Sequence, residues 1–503
     1  MGREENRVRL AGMVSQQMLP VVESIRSPSP NSIDYFPQWP DIRHGVGNST
    51  SPLNQIQTRT ITSALAVSVA IPTMVTSPGG GAAATAMTEV AARLAAICDV
   101  IHEHHKSGRP IEDDDVATIS AMIEDLAATA SAGRPPKTKL LLRLCSGAAA
   151  SSCSYEEVGG DDDDGELGVG AFGVVVMARH RDTGELVAVK TLHPEHAGDN
   201  GGRGLARLLR EASFMAACSG HPSLVSLLGV ERMPCAAAAA AATDTAEWSL
   251  VMEYVGPNLL DVLRARGGEP FPEADVRVIM RQLLAGAAAM HRHGIVHRDI
   301  KSENILVVSG VGAGDVGAVK ICDLGSAKST FERHTMFHIA GTLEYMAPEV
   351  LARDPHHGAP ADAWSLGCVM AELLLAGGEL AFRGEDEGDQ MLAIFDVLGA
   401  PEEAAWRALR PRVLVAGEVN VLRERQRKAQ HRSRLREMFP EDVLSKEGFE
   451  VLEGLLTCDP KKRMTAAAAL RCAWFADGDK VQEQRHETTS SLLTSFSVCE
   501  IST

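Results

Sequence analysis

Two stretches before residue 130 repeat apolar residues at helical spacing. Val90, Leu94, Ile97, Cys98 and Ile101 form one stripe, and Val116, Ile119, Met122, Ile123 and Leu126 form another. Gly108-Arg109-Pro110 between them reads as a turn, so residues 86–145 are expected to contain a helical hairpin. This hairpin is either a small packed accessory or a partner-binding module, and no residue in it names a partner. Residues 1–85 are rich in Ser, Pro, Gly and Thr without periodicity and read as disordered, as does the Ser/Thr-rich tail at 476–503. The middle of the chain changes period. Glu166-Leu167-Gly168-Val169-Gly170-Ala171-Phe172-Gly173-Val174-Val175 reads as strand, glycine turn, strand. Val187-Ala188-Val189-Lys190, Leu250-Val251-Met252-Glu253, Ile305-Leu306-Val307-Val308 and Val319-Lys320-Ile321 are further short β-like runs, and the segment around Arg207–Ala212 is helical.

Charge and cysteine usage narrow the class. The chain has 503 residues, a formal net charge of −17 and a pI near 5.5, which argues against nonspecific nucleic-acid or membrane-surface binding. Its 10 cysteines lack CxxC pairs, so they read as reduced thiols in a cytoplasmic or nuclear protein rather than as a disulfide or zinc framework. The opening Met1-Gly2-Arg3-Glu4-Glu5 is charged and shows no secretory signal, and Asn6 stands where a myristoylation signal wants Ser or Thr. The apolar stretch from Ile61 to Val75 is short for a bilayer and contains Pro72. His102, His104 and His105 read as solvated rather than as metal ligands. Asp161 to Asp164 read as a solvated insertion, and Ala236 to Ala242 as low-complexity filler.

The chemistry concentrates in His297-Arg298-Asp299-Ile300-Lys301-Ser302-Glu303-Asn304. This loop carries a carboxylate to orient a hydroxyl nucleophile, a cation for a phosphate and an amide oxygen for magnesium, which is the set that phosphoryl transfer requires. Upstream stand the glycine turn, Lys190 ending its β-run, and Glu211 as its natural ion-pair partner. Downstream stand Asp323 in Cys322-Asp323-Leu324-Gly325, then Gly341 to Glu349, Asp362-Ala363-Trp364-Ser365-Leu366-Gly367 and Cys458 to Arg463.

In this order the motifs over residues 155–475 resemble the eukaryotic protein kinases. The resemblance implies an α+β, two-lobed kinase fold with a small β-rich lobe holding one main helix and a large α-helical lobe, preceded by the partly disordered, partly helical extension. It implies ATP and Mg²⁺ as cofactors and a protein substrate. Leu167, Gly168, Val169, Gly170, Ala171, Phe172, Gly173, Val174 and Val175 would cover the nucleotide, and Lys190, oriented by Glu211, would hold its phosphates. Val175, Ala188 and Leu306 would sandwich the adenine, the backbone of Glu253 and Val255 would meet its edge beside the gatekeeper Met252, and Asn258 is a candidate for the ribose. Asp299, Lys301 and Asn304 are the catalytic-loop residues, with Asn304 and Asp323 as the metal ligands. Lys301 together with Thr342 is similar to the Ser/Thr-specific class, and Glu349 would pair with buried Arg463. Leu324 departs from the family's usual phenylalanine.

Ala381 to Pro401 and Leu435 to Pro440 resemble the cyclin-dependent branch. Leu205 to Glu211 occupies the place of its cyclin-recognition helix but keeps only the closing Arg-Glu, so a cyclin or other activating subunit is weakly implied. Glu344 and Met346 replace residues of the proline-directed pattern. Arg210, Arg298 and Lys328 match the cations that bind a phosphorylated loop residue, with Thr335 as the expected acceptor and Ser329 and Thr330 farther off. The kinase motifs are expected to supply their own core without residues 1–145. The alternative function is a catalytically silent kinase-fold scaffold that acts by protein binding.

Overall fold

A computed structural model describes residues 81–107, 111–131, 154–158, 165–170, 173–192, 203–234, 246–308, 317–331, 340–354, 357–399, 424 and 433–476. The expectations for 1–80, Gly108 to Pro110, Asp161 to Asp164, Ala171, Phe172, Ala236 to Ala242, Thr335 and 477–503 lie outside them.

The small lobe is an antiparallel sheet of β1 (Tyr155–Glu157), β2 (Glu166–Val169), β3 (Gly173–His180), β4 (Leu186–Leu192), β5 (Leu227–Pro234) and β6 (Ala246–Glu253). Its spatial order is β1-β3-β4-β6-β5, with β2 added to β3. Side chains alternate across a strand, so adjacent residues of β4 serve different faces. Val187 and Val189 join Ala178 and Val251 in a small core on one face. Ala188 turns the other way, into the main core with Met252, and Lys190 shares its parity. Gly173 is required where β3 and β4 close, because a Cβ there would lie 2.1 Å from the Thr191 carbonyl oxygen.

Two helices precede this sheet, α1 (Gly81–Ser107) and α2 (Asp113–Ala130). A capping box between Glu112 and Asp115 starts α2. Arg93 of α1 is ion-paired to Glu89 in its own helix and to Asp125 of α2. Both apolar stripes are buried, Met122 only in part, and both helices pack on α3 (Arg203–Ala217), the main helix of the small lobe. The extension therefore shares a hydrophobic core with the sheet lobe, where the sequence led us to expect a kinase core complete without it.

The large lobe is helical. Its principal elements are α4 (Leu259–Ala265), α5 (Glu273–Arg292), α6 (Pro348–Leu351), α7 (Ala359–Leu374), α8 (Glu387–Leu398), α9 (Leu435–Met438), α10 (Lys446–Leu455) and α11 (Ala466–Ala469). Side-chain caps from Asn258, Asp386, Ser445 and Thr465 start α4, α8, α10 and α11. Helix α7 is buried from Ala361 to Leu374 and forms the lobe's axis. The short ladders β7 (Ile295–Val296) with β10 (Lys328–Ser329) and β8 (Ile305–Val307) with β9 (Val319–Ile321) frame the loops that carry the chemistry. Among the described residues no helix is long and apolar enough to cross a membrane.

Candidate active site

Strand alternation brings Lys190 to the cleft, and α3 brings Glu211 to meet it. The Lys190 Nζ lies 2.9 Å from both Glu211 carboxylate oxygens and 2.7 Å from Asp323 Oδ1. Burial works against the Lys190 charge, yet the two carboxylates outweigh it and hold the ammonium well above its ordinary range. The carboxylates respond differently to the same lysine. Burial pushes Glu211 up further than Lys190 pulls it down, whereas at Asp323 the lysine prevails over burial and the carboxyl is lowered. Glu211 is the deeper, its side chain 7% exposed against 44% for Asp323, and the Asp323 charge raises it further, whereas the Gly325 N–H helps to lower Asp323. Asp323 has a left-handed backbone with φ 60°, and a Cβ on Gly325 would crowd Asp323, Glu211 and Lys190 at 3.1 to 3.3 Å.

The β8–β9 hairpin brings the second half of the site together. Ile305 faces Ile321, and the Cys322 N–H donates to the Asn304 carbonyl oxygen at 3.0 Å, so Asn304 and Asp323 become near neighbours. The Asn304 Nδ2 donates to the Asp299 carbonyl oxygen at 2.9 Å and to its Oδ2 at 3.3 Å. Both amide hydrogens therefore face Asp299, which leaves Asn304 Oδ1 to serve a cation. Thr342 Oγ1 donates to Asp299 Oδ1 at 2.9 Å, and Lys301 Nζ lies 3.9 Å from Asp299 Oδ2.

Several supports were not assigned roles from the sequence. Asp362, fully buried at the start of α7, accepts from the backbone N–H of His297 and of Arg298, each at 2.9 Å, and pairs with His291 Nε2 at 2.8 Å. These contacts overcome burial and hold the Asp362 carboxyl below its ordinary range. They also stabilise Arg298 at φ 71°, a conformation that side-chain-bearing residues avoid, and so set the loop that presents Asp299. Glu372, deep in α7, accepts from Ser302 Oγ and, at 2.9 Å, from the Tyr345 hydroxyl, which ties the catalytic loop to the Gly341–Glu349 segment. No local signal in the sequence marks the work of either carboxylate, because burial and partners on other loops are set by the fold.

The donor set fits a magnesium nucleotide. One carboxylate and one amide oxygen are hard ligands too few to hold the ion alone, which suits Mg²⁺ bridged to phosphates. Among the described residues no cluster of three or more His, Cys, Asp or Glu could hold a metal without help. A Cβ on Gly168 would meet nothing within 4 Å, leaving room above the cleft. Leu167 and Val169 stand 41% and 61% exposed beside it, unusual for large apolar groups and suited to roofing a ligand. Val174 and Val175 continue on β3, Val175 opposite Lys190, and Gly170 donates to the Gly173 carbonyl oxygen at 2.9 Å. Ala188, Val175 and Leu306 all belong to the same apolar cluster, as does Val255. The Glu253 N–H is taken by the Ser226 carbonyl oxygen at 3.1 Å, so that N–H is not the group offered to an adenine edge. Asn258 has a structural role as well. It caps α4, accepting from the Asp261 N–H at 2.9 Å and donating to its carboxylate at 2.7 Å, which leaves one amide hydrogen and one lone pair for a ribose.

The expected cations do converge. Arg210 Nη1 donates to the Ala327 carbonyl oxygen at 2.9 Å, Arg298 Nε to Ser326 at 2.6 Å and Lys328 Nζ to His357 at 2.5 Å. Ser329 is buried and unsuited to modification. His357 and His293 are held below their ordinary value of 6.5, chiefly by burial and then by neighbouring cations, Lys328 and Arg298 for His357 and Arg292 for His293. The unfolded imidazoles bind protons below about pH 6.5 while the folded ones refuse them, so stability is present above that pH and falls as pH drops through it. The urea midpoint is expected to be lower at pH 5.5 than at pH 7.5, and replacing both histidines with glutamine should flatten that slope.

The sequence profile described as Protein kinase domain matches residues 162–475. A putative cyclin-dependent kinase F-2 from Oryza sativa subsp. japonica is 45% identical over 63% of this chain and 89% of its own length. The cell division control protein 2 homolog 3 of Trypanosoma brucei brucei is 36% identical over 62% and 90%, and cyclin-dependent kinase 4 of Ovis aries 34% over 62% and 96%. The chain belongs to the protein kinase family, in its cyclin-dependent-kinase-like serine/threonine branch. Kinases of this family use ATP and Mg²⁺.

Proposed function

We propose that this chain binds Mg²⁺–ATP between the sheet and the large lobe and transfers the γ-phosphate to a Ser or Thr hydroxyl of a protein substrate. The observation that carries the reading is the simultaneous presence of both halves of the machinery: Lys190 bridging Glu211 and Asp323, and Asp299 clamped by Asn304 and Thr342. Asp299 orients the substrate hydroxyl and takes its proton as the oxygen bonds to phosphorus and the bond to the ADP oxygen breaks. Lys301, close to Asp299, balances charge on the moving phosphoryl group. Lys190 positions the α- and β-phosphates. A magnesium ion held by Asn304 and Asp323 would neutralise the phosphate oxygens. The rice and sheep relatives are named for dependence on cyclins, whereas α3 here meets the chain's own hairpin.

The test is phosphotransfer from labelled ATP to a generic basic protein by the purified full chain. Asp299→Asn is expected to lower turnover by roughly 100-fold or more while leaving ATP affinity nearly unchanged. A wild-type chain that binds ATP yet never transfers phosphate would reject the enzyme reading in favour of a scaffold.

A further inference from the structure

Helix α3 is buried almost all round. With 100° per residue, Ala206, Leu209, Ser213 and Ala216 lie on the face opposite Glu211. Their exposures are 6%, 0%, 0% and 0%. The Glu211 side looks toward Lys190 and the sheet, so the far face is covered by α1 and α2, both of which pack on α3. The small residues Ala206, Ser213 and Ala216 allow that close approach. The hairpin shows the complementary signature: Leu94, Ile97, Ile119, Ile123 and Leu126 are all 0% exposed, which two helices paired alone rarely achieve. At the far end, Ser131 Oγ donates to Ser219 Oγ at 3.2 Å, joining the end of α2 to the residues just past α3.

This arrangement bears on the site because the Lys190–Glu211 pair is a weak anchor for a helix. Burial disfavours the Glu211 charge, and a buried ion pair offsets its own desolvation only in part. What presses α3 against the sheet is apolar burial on its outer face, and this chain supplies that cover itself.

We propose that the α1–α2 hairpin is an intramolecular brace that holds α3 where Glu211 meets Lys190, so that this kinase assembles its active site without a separate subunit on that helix. Leu94, Ile97, Ile119 and Ile123 are then positioning residues for phosphotransfer, acting through Glu211. The inference rests on the kinase reading above.

The experiment uses the full chain, purified alone. Wild type is expected to be active without any added subunit. Ile119→Glu should lower kcat/KM by about tenfold or more and speed hydrogen exchange across Arg203–Ala217, with protection of α7 retained. Should that variant aggregate, the milder Ile119→Ala/Ile123→Ala chain takes its place. Ser131→Cys/Ser219→Cys, introduced into the weakened chain and oxidised, should restore both activity and α3 protection, and reduction should remove them again. This pair is chosen for the cross-link because the two hydroxyls lie 3.2 Å apart. The brace is overturned if exchange shows the hairpin released while activity and α3 protection stay at wild-type levels, or if wild type turns over only when a second protein is added. A wild-type chain inactive under every condition would instead remove the kinase reading itself.

Discussion

Lys190→Met should abolish measurable phosphotransfer, and Asp323→Asn should do the same. Lys190 bridges Glu211 and Asp323, at 2.9 and 2.7 Å. Its loss removes a preorganised charge facing the phosphates, an effect of roughly 3–4 kcal/mol or 10²–10³ in rate. It also leaves two carboxylates close together in a buried setting. Glu211, already raised by burial, would then take up a proton, and α3 would lose its link to β4. Asp323→Asn acts by a different route, since the lysine pair survives while the charged half of the metal ligand set disappears. ATP titration with and without Mg²⁺ separates the two. Lys190→Met should weaken nucleotide binding in both conditions, whereas Asp323→Asn should lose chiefly the Mg²⁺-dependent gain. Substantial residual turnover in both variants would sink the assignment.

The second large effect concerns stability. Arg463 and Glu349 form a forked pair at 2.6 and 2.8 Å, with side chains 0% and 2% exposed. The remaining guanidinium donors reach the carbonyl oxygens of Thr457, Pro360 and Cys458, and the Arg463 guanidinium carbon sits 5.2 Å from the Trp364 ring centre. Either Glu349→Ala or Arg463→Ala strands the opposite charge among apolar neighbours. Such a loss is worth about 3–5 kcal/mol, which should lower the melting temperature by roughly 5–10 °C. The double variant, which leaves no orphaned charge, should melt above at least one of the single variants. A Glu349→Ala protein melting with wild type would show that the pair does not hold the lobe.

The candidate catalytic residues stood out in the sequence because phosphotransfer needs particular side chains a few residues apart on one loop. Asp299, Lys301 and Asn304 satisfy that demand locally, and Ala188 and Lys190 share the strand parity that turns them toward the cleft. Gly173 was legible as a phosphate-loop glycine, but its tight contact with Thr191 makes it a requirement of sheet closure as well. Asn258 was read only as a ribose candidate, and its capping of the following helix was the part of its work that the sequence reading missed. Asp362 and Glu372 carried no local signal of their work, since their partners stand 65 and 70 residues away in the chain.

The hairpin marks the boundary between the two kinds of knowledge. Its apolar stripes, the strand runs and the order of the motifs are properties of neighbouring residues, and by themselves they determined the main elements, the kinase fold and the family. A stripe states that a face must be buried without stating against what. Only the tertiary structure decided that α1 and α2 close over α3, that Asp362 braces the Arg298 backbone, and that Glu211 and Asp323 diverge in acidity around a shared lysine. Burial and the distances between charges are set by elements far apart in sequence, and those quantities govern both helix position and protonation.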